Sequence, residues 1–144
     1  MTERSQLQLE IIWTDEQLVE LQAIASNGRY CGTTEVYTTI EDLLRLAEQL
    51  EGFPKQLADV VAFEAGDQNS YAFLRLIFYC IDGVGHTAIN VCMEESVETN
   101  FRAEKKHQVS FELRCEPSAI DKFQKELKLL AVSQKGRATL LQSW

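Results

Sequence analysis

One segment limits the possible folds of this chain more than any other: residues 71–95, YAFLRLIFYCIDGVGHTAINVCMEE. It contains two runs rich in β-branched and aromatic residues on either side of a glycine-bearing loop, which predicts two antiparallel strands. Every second residue of the first run, from Ala72 to Cys80, is apolar, and this side should face a packed core. The opposite side is mostly aromatic, with Arg75 at its middle. Because a strand that is apolar on both sides sits inside a sheet, we expect this hairpin to form the centre of an antiparallel sheet.

Alternation of apolar and polar residues predicts further strands. Their ranges are residues 6–13, 18–26, 29–38, 59–65 and 108–115. In the first of these strands, Ile11 and Trp13 should lie on the same, half-buried side. Asn27-Gly28 predicts a tight hairpin turn between the second and third strands, because such turns need positive φ. Gly32 then marks either a β-bulge or a close approach to its backbone.

Two segments show apolar residues at helical spacing. Thr38 with Glu41 three residues later has the pattern of a capping box, and it predicts a helix over residues 40–51. Ser118 with Asp121 resembles the start of a second helix, whose apolar side continues to Ala131. The last segment, residues 132–144, fits either a loosely docked tail or a short helix.

The order of these elements indicates the fold class. Three strands, a helix, four strands and a helix (βββ-α-ββββ-α) are typical of α+β proteins. A chain of 144 residues suits one hydrophobic core, so we expect residues 1–144 to form a single α+β domain. Its architecture should be one twisted, mainly antiparallel sheet of about six to seven strands, with two amphipathic helices packed mainly on one face. Two helices cannot cover a sheet of that width, so part of the other face should be exposed or bound.

The charge balance argues against some classes of partner. Lys and Arg number 14 against 22 Asp and Glu, and the formal net charge is −8. Nucleic acids and anionic membrane surfaces repel such a protein, so we expect neither as a partner. No apolar run approaches the roughly 20 residues that span a bilayer, and the first residues contain no apolar signal core. We therefore expect a cytoplasmic protein, for which a cationic protein is the better partner.

Residues that could support catalysis or metal binding are few. Cys80, Asp82 and His86 place a thiol, a carboxylate and an imidazole in one loop, although Asp82 and its neighbouring glycines are also ordinary turn residues. Two histidines, His86 and His107, are too few for a convergent metal site, and no cysteine pair has zinc-motif spacing. We expect no enzymatic activity, no cofactor and no metal ion, and buried, reduced cysteines.

The remaining candidate for a functional site is a protein-binding surface. Outward-facing polar residues of several strands would form an acidic, hydrogen-bonding plate if they shared one sheet face. Aromatic and arginine side chains among carboxylates are typical of protein-binding hot spots, whereas the alternative is an ordinary solvated sheet face. The predicted partner-binding residues are Glu10, Glu20, Tyr71, Arg75, Tyr79, Asn90, Glu94 and Glu112.

Three stretches of the chain resemble a known family: FPKQLADVVAFEAG, YAFLRLIFYCIDGVGHTAINVCME and VSFELRCEPSAIDKFQKEL. Together with the strand that holds Gly32 and Tyr37, they resemble the small bacterial proteins grouped with the WapI-type immunity proteins, over roughly residues 7–130. The resemblance implies a cytoplasmic antidote that occupies and blocks a toxin domain and has no reaction of its own. It assigns no functional residues. A basic toxin domain would suit the acidic plate, because carboxylates can imitate phosphate and speed the encounter.

Two other functions stay open on the residues themselves. A small-molecule-binding protein or an enzyme would use a pocket near Arg75, Tyr79, Asp82 and His86, and would show these groups converging in a cavity. A homo-oligomeric structural protein would bury its exposed sheet face against a second copy, through an interface more apolar than the remaining surface.

Overall fold

The computed structural model describes residues 5–66, 72–96 and 106–142. These residues form eight β-strands and two α-helices. In chain order the elements are β1 (Ser5–Thr14), β2 (Val19–Ser26), β3 (Cys31–Thr38), α1 (Ile40–Leu50), β4 (Val60–Gly66), β5 (Ala72–Cys80), β6 (Thr87–Ser96), β7 (Lys106–Cys115), α2 (Pro117–Ser133) and β8 (Arg137–Gln142).

The strands of the described residues form two antiparallel sheets of four strands each. Sheet A has the order β3-β2-β1-β8, and sheet B has the order β4-β5-β6-β7. The α+β class is therefore confirmed, whereas a single sheet of six to seven strands is wrong. The β5–β6 hairpin does lie at the centre of its sheet, as its two apolar sides predicted. Alternation along a strand shows which residues share a side, but it does not show which strands pair, and this is why one sheet was expected.

The inner faces of both sheets and the buried sides of both helices share one hydrophobic cluster. Its middle is marked by Phe78 of β5, whose ring centroid lies 6.5 Å from the rings of both Phe53 and Phe123. A side chain of this size stabilises the fold by about 1.5–3 kcal/mol when it is fully buried. The two helices pack on each other, and Gln124 of α2 donates a hydrogen bond to the backbone oxygen of Ala47 in α1 at 3.0 Å.

The two sheets approach most closely at β3, which contacts β4, β5 and β6 of sheet B. A Cβ atom added to Gly32 would lie 2.8 Å from Cγ1 of Val109 and 3.1 Å from Sδ of Met93. The pairing of β3 with β2 runs through Gly32 without a shift in register. Gly32 therefore marks no bulge in this pairing, and its backbone is closely approached by side chains of the other sheet.

A register shift in β1 changes the side to which Trp13 belongs. The pairing of β1 with β2 shifts between Ile11 and Trp13, so Ile11 pairs with the buried Leu21 and Trp13 pairs with Glu20. An extra residue in one strand reverses the alternation beyond it. Trp13 consequently lies on the outer face with 47% of its surface exposed, and the prediction that it shares the buried side with Ile11 is wrong.

Helix α1 occupies nearly the predicted range, but its cap lies one residue later than expected. The N-cap is Thr39, whose hydroxyl accepts a hydrogen bond from the backbone N–H of Asp42 at 3.1 Å, in place of Thr38 with Glu41. Helix α2 begins at Pro117, after the N-cap residue Glu116. Proline suits a first turn, because a backbone N–H there has no partner within the helix.

The described part of the last segment is neither a loose tail nor a helix beyond residue 133. Residues 137–142 form β8, which pairs with β1 and places Leu140 opposite Leu7. The side chain of Gln142 accepts a hydrogen bond from the backbone N–H of Glu116 at 2.7 Å, which ties β8 to the start of α2. Both interpretations of this segment are wrong, because its order comes from pairing with a distant strand. Residues 143 and 144 lie outside the described residues.

Candidate functional site

The predicted partner-binding residues lie on two different sheets. Glu10 and Glu20 lie on the outer face of sheet A. The remaining described members lie on the outer face of sheet B: Arg75, Tyr79, Asn90, Glu94 and Glu112. Tyr71 lies outside the described residues. These residues therefore do not form one acidic plate. The outward-facing residues of two strands share one surface only when both strands belong to the same sheet.

Two members of the predicted set on sheet B are covered. Glu94 is only 8% exposed, and its backbone oxygen accepts a hydrogen bond from the hydroxyl of Thr34 on β3 at 3.4 Å. Arg75 is half-buried, and its Nε atom is buried without a hydrogen-bond partner among the described residues. The prediction that the Glu94 side chain is open to a partner is wrong, whereas Arg75 is partly open.

The side chains of Tyr79 and Glu112 contact each other. Tyr79 on β5 reaches across β6, above the small residue Ala88 opposite it, and its hydroxyl donates to Oε2 of Glu112 at 2.5 Å. Arg114 lies 3.5 Å from the other carboxylate oxygen of Glu112. Partial burial, and then the neighbouring carboxylate of Glu112, raise the pKa of Tyr79 to about 12. These groups form a closed network on sheet B, which leaves fewer of their polar atoms for a ligand.

The loop between β5 and β6 brings Asp82 and His86 together. Nδ1 of His86 lies 2.5 Å from Oδ2 of Asp82, and the other oxygen of Asp82 accepts from the backbone N–H of Val84 at 2.9 Å. The bond to Asp82 raises the pKa of His86. The pKa of Asp82 is lowered, first by the Val84 N–H and then by the His86 ring. Both side chains are exposed, so the pair closes the loop in contact with water.

The hollow beside this pair differs from the pocket considered for an enzyme. It has a volume of about 320 Å³ and is lined by residues of the loop and of the end of β7, among them Cys115, but by neither Arg75 nor Tyr79. Burial raises the pKa of the Cys115 thiol to about 12, and its hydroxyl neighbour is Thr87. A thiol with this pKa is fully protonated near neutral pH and is a poor nucleophile. The four residues of the enzyme alternative, Arg75, Tyr79, Asp82 and His86, therefore do not line this hollow together.

The outer face of sheet A carries an exposed pair of aromatic residues. The rings of Trp13 and Tyr37 meet edge to face, with centroids 6.2 Å apart and planes at 87°. Glu20 lies between them in the sheet, because it pairs with Trp13 on one side and with Tyr37 on the other. The exposed fractions are 47% for Trp13 and 53% for Tyr37, which is high for such large apolar groups.

Carboxylates surround this aromatic pair. The neighbouring row of the sheet runs from Arg137 on β8 through Glu10 and Gln22 to Glu35 on β3. The side chain of Gln22 donates to Glu35 at 3.2 Å. We refer to Glu10, Trp13, Glu20, Glu35 and Tyr37 as the aromatic–acidic face. Sequence reasoning identified its two carboxylates on β1 and β2 but missed both aromatic residues. Tyr37 could have been found, since it alternates with Val36 and Thr38, whereas the bulge hid Trp13.

The described residues contain no group of three or more His, Cys, Asp or Glu that could hold a metal ion. Only one of the cysteines fits the expectation of burial, since Cys115 is buried, Cys80 and Cys92 are half-buried and Cys31 is exposed.

Comparisons of this chain with family models, with curated proteins and with solved structures found no match. Neither α1 nor α2, the helices of the described residues, has the length and apolar character needed to cross a membrane.

Proposed function

We propose that this protein is a non-enzymatic binding protein that holds a cationic protein partner on the aromatic–acidic face. The observation that carries the proposal is the exposed Trp13–Tyr37 pair. Tryptophan and tyrosine are enriched among the few residues that supply most of the energy of an interface. Covering their exposed surfaces would add stabilisation that the isolated chain does not obtain.

Charge favours a basic partner for this face. Glu10, Glu20 and Glu35 lie around the aromatic pair, with Arg137 as the cation of the same row. The whole chain has a formal net charge of −8, so its field attracts a basic protein before contact is made. Association should therefore be faster at low salt and slower as salt screens the field.

The specific form of this proposal is neutralisation of a toxin domain. The resemblance to WapI-type immunity proteins motivates it, and the carboxylates of the face suit a basic groove that normally binds phosphates. In this form the protein acts by occupying the groove of the toxin, and the binding energy replaces any chemical step.

The test is capture from a lysate of the native host, with the chain itself as bait. The variant bait carries Trp13→Ala and Tyr37→Ala, and the control bait carries Tyr30→Ala, which removes another exposed tyrosine outside the face. A partner that depends on the face should bind the wild type and the control, and should bind the variant at least about tenfold more weakly. Replacing Glu20 and Glu35 with Lys should reduce the association rate and its salt dependence.

Two results would overturn the proposal. One is a partner whose affinity is the same for the wild type and for the aromatic double variant. The other is self-association of the chain that the double variant abolishes, which would support the homo-oligomeric alternative. Neutralisation is tested separately, by expressing the captured protein with and without this chain and measuring growth. If the captured protein slows growth equally in both cases, the toxin form is wrong although the binding surface stands.

A further inference from the structure

The central row of the aromatic–acidic face indicates which side chain of a partner it binds, and this inference rests on the function proposed above. Trp13, Glu20 and Tyr37 are cross-strand neighbours on β1, β2 and β3, so they form one row across sheet A. Neighbouring strands lie about 4.8 Å apart, so two strand spacings separate Trp13 from Tyr37. Their ring centroids are nevertheless only 6.2 Å apart, so the two side chains lean towards each other across Glu20.

The contact between the two rings leaves aromatic surface free. The rings meet edge to face, and the ring that offers its edge keeps both of its faces out of this contact. Both Trp13 and Tyr37 are exposed, so much of this surface is open to solvent. The face of an aromatic ring carries partial negative charge and attracts a cation, most strongly at tryptophan. A cationic group on this surface would be attracted by the ring and by the carboxylate of Glu20.

The charges around this row favour a cation and disfavour an anion. The neighbouring row contains Glu10 and Glu35, with Arg137 opposite Glu10 as its cation. A nucleobase could also stack on the rings, but its phosphates would lie close to carboxylates of a chain whose net charge is −8. A second copy of the chain has the same net charge and is repelled for the same reason. The occupant therefore belongs to a different, basic protein.

Arginine suits this row better than lysine does. Its guanidinium group is planar and weakly hydrated, so it can stack on a ring while its N–H groups, which lie in the same plane, donate to a carboxylate beside the ring. Lysine has a compact and strongly hydrated ammonium group, which cannot form the two parallel hydrogen bonds that guanidinium forms with a carboxylate. Cation–π contacts in proteins also involve arginine more often than lysine.

We propose that Trp13, Glu20 and Tyr37 bind one arginine side chain of the protein partner, with its guanidinium stacked on an aromatic ring and its N–H groups directed at Glu20. The carboxylates of the face attract any basic residue, whereas the rings select arginine over lysine. Residues that dominate the energy of an interface tend to contact each other, and arginine is enriched among them together with tryptophan and tyrosine. The arginine is therefore the main anchor of the partner on this face.

The test uses three peptides, acetyl-Gly-Ser-Xaa-Ser-Gly-amide, in which Xaa is arginine, lysine or citrulline. Citrulline is the matched control, because it has nearly the shape of arginine but no charge. Each peptide is added at up to about 20 mM to the isotopically labelled protein while amide and indole N–H NMR shifts are recorded. The arginine peptide should give saturable shifts at Trp13, Glu20 and Tyr37. It should bind about two- to fivefold more tightly than the lysine peptide, and the citrulline peptide should give no saturable shift.

Two variants, each with a matched control, separate the rings from the charge. In the double variant Trp13→Leu, Tyr37→Leu the preference for arginine over lysine should disappear, whereas Tyr30→Leu, which removes an exposed tyrosine outside the face, should keep it. Glu20→Gln preserves the size of the side chain and removes its charge. It should weaken binding of both cationic peptides about two- to fivefold, whereas Glu64→Gln, which removes a charge from sheet B, should not.

Four results would overturn the proposal. They are equal binding of the arginine and lysine peptides, equal binding of the arginine and citrulline peptides, a preference for arginine that survives in the double leucine variant, and the absence of saturable shifts at the three residues of the row. Any of them removes the arginine but leaves the proposed function standing if a captured partner needs the aromatic pair. Failure of the proposed function differs from this, because a captured partner would then bind the aromatic double variant as tightly as the wild type.

Discussion

Replacement of Gly32 with alanine tests the close approach of the two sheets. The added Cβ would lie 2.8 Å from Cγ1 of Val109 and 3.1 Å from Sδ of Met93, and carbon atoms attract each other best at about 3.5–4.0 Å. Met93 can move its flexible end, but Val109 is β-branched and stiff at χ1. The sheets must therefore separate slightly, or Val109 must leave its preferred rotamer.

The size of the effect follows from two opposed terms. Overpacking of this kind costs about 1–3 kcal/mol. Replacing glycine with alanine also stabilises by about 0.4–1 kcal/mol, because it restricts the unfolded chain. We expect Gly32→Ala to lower the free energy of unfolding by about 1–2 kcal/mol, and to lower Tm by about 3–6 °C in a chain of this size.

Urea denaturation followed by circular dichroism measures this change, and Gly83→Ala is the matched control. A Cβ at Gly83 would lie 3.9 Å from Cδ1 of Leu57, which is ordinary contact. Neither glycine has a positive φ. The control should therefore be as stable as the wild type or slightly more stable. In a Val109→Ala background, Gly32→Ala should cost much less, because the methyl group enters the space that the valine leaves.

Two outcomes would show the reasoning to be wrong. In the first, Gly32→Ala is as stable as Gly83→Ala, and the close approach then has no energetic weight. In the second, the cost of Gly32→Ala is the same with Val109 and with Ala at that position, and the clash lies elsewhere.

The remaining predictions concern single hydrogen bonds. The pKa of Tyr79 is raised to about 12 from an ordinary 10. Its contribution to the stability of the fold is therefore complete below pH 10 and is lost between pH 10 and 12. The urea midpoints of the wild type and of Tyr79→Phe should converge over that range. Asp82→Asn should lower the pKa of His86 in an NMR titration, and the stability that this histidine gains from Asp82 should be present below its ordinary pKa and fade as pH rises through the raised value. Gln124→Leu should cost about 1–3 kcal/mol in urea denaturation, because the backbone oxygen of Ala47 in the last turn of α1 loses its buried donor; an unchanged midpoint would contradict this.

Local sequence patterns predicted the strands and helices whose structure depends mainly on their own residues. The β5–β6 hairpin lies at the centre of a sheet because both of its sides are apolar, and α1 follows from its apolar spacing. In β7 the apolar residues that alternate along the strand are buried at Phe111, Leu113 and Cys115 and half-buried at Val109. In each case the spacing of the apolar residues predicts the buried side, and the observed element lies within a few residues of the predicted range.

Features that depend on contacts between distant parts of the chain could not be predicted from local sequence patterns. The division into two sheets depends on which strands pair, and β8 is a strand because β1 lies beside it. One extra residue between Ile11 and Trp13 turned an apparent core residue into the largest side chain of the aromatic–acidic face. Alternation also cannot show that Glu94, on the outer face of sheet B, is only 8% exposed. Of the predicted partner-binding residues, Glu10 and Glu20 belong to the aromatic–acidic face that we propose as a binding surface, and its other members were found from the fold.

The pairing of β1 with β8 has a consequence for how the protein is made. Among the strands of the described residues, β1 is synthesised first and β8 last, yet the two lie side by side in sheet A. Contacts between residues so far apart in sequence slow folding, because much of the chain must be ordered before they form. While the ribosome is still translating the second half of the chain, β1 can pair with β2 but has an unoccupied side. Native topology in sheet A is therefore reached after residues 137–142 have emerged, and a nascent chain has an open β1 edge until that moment.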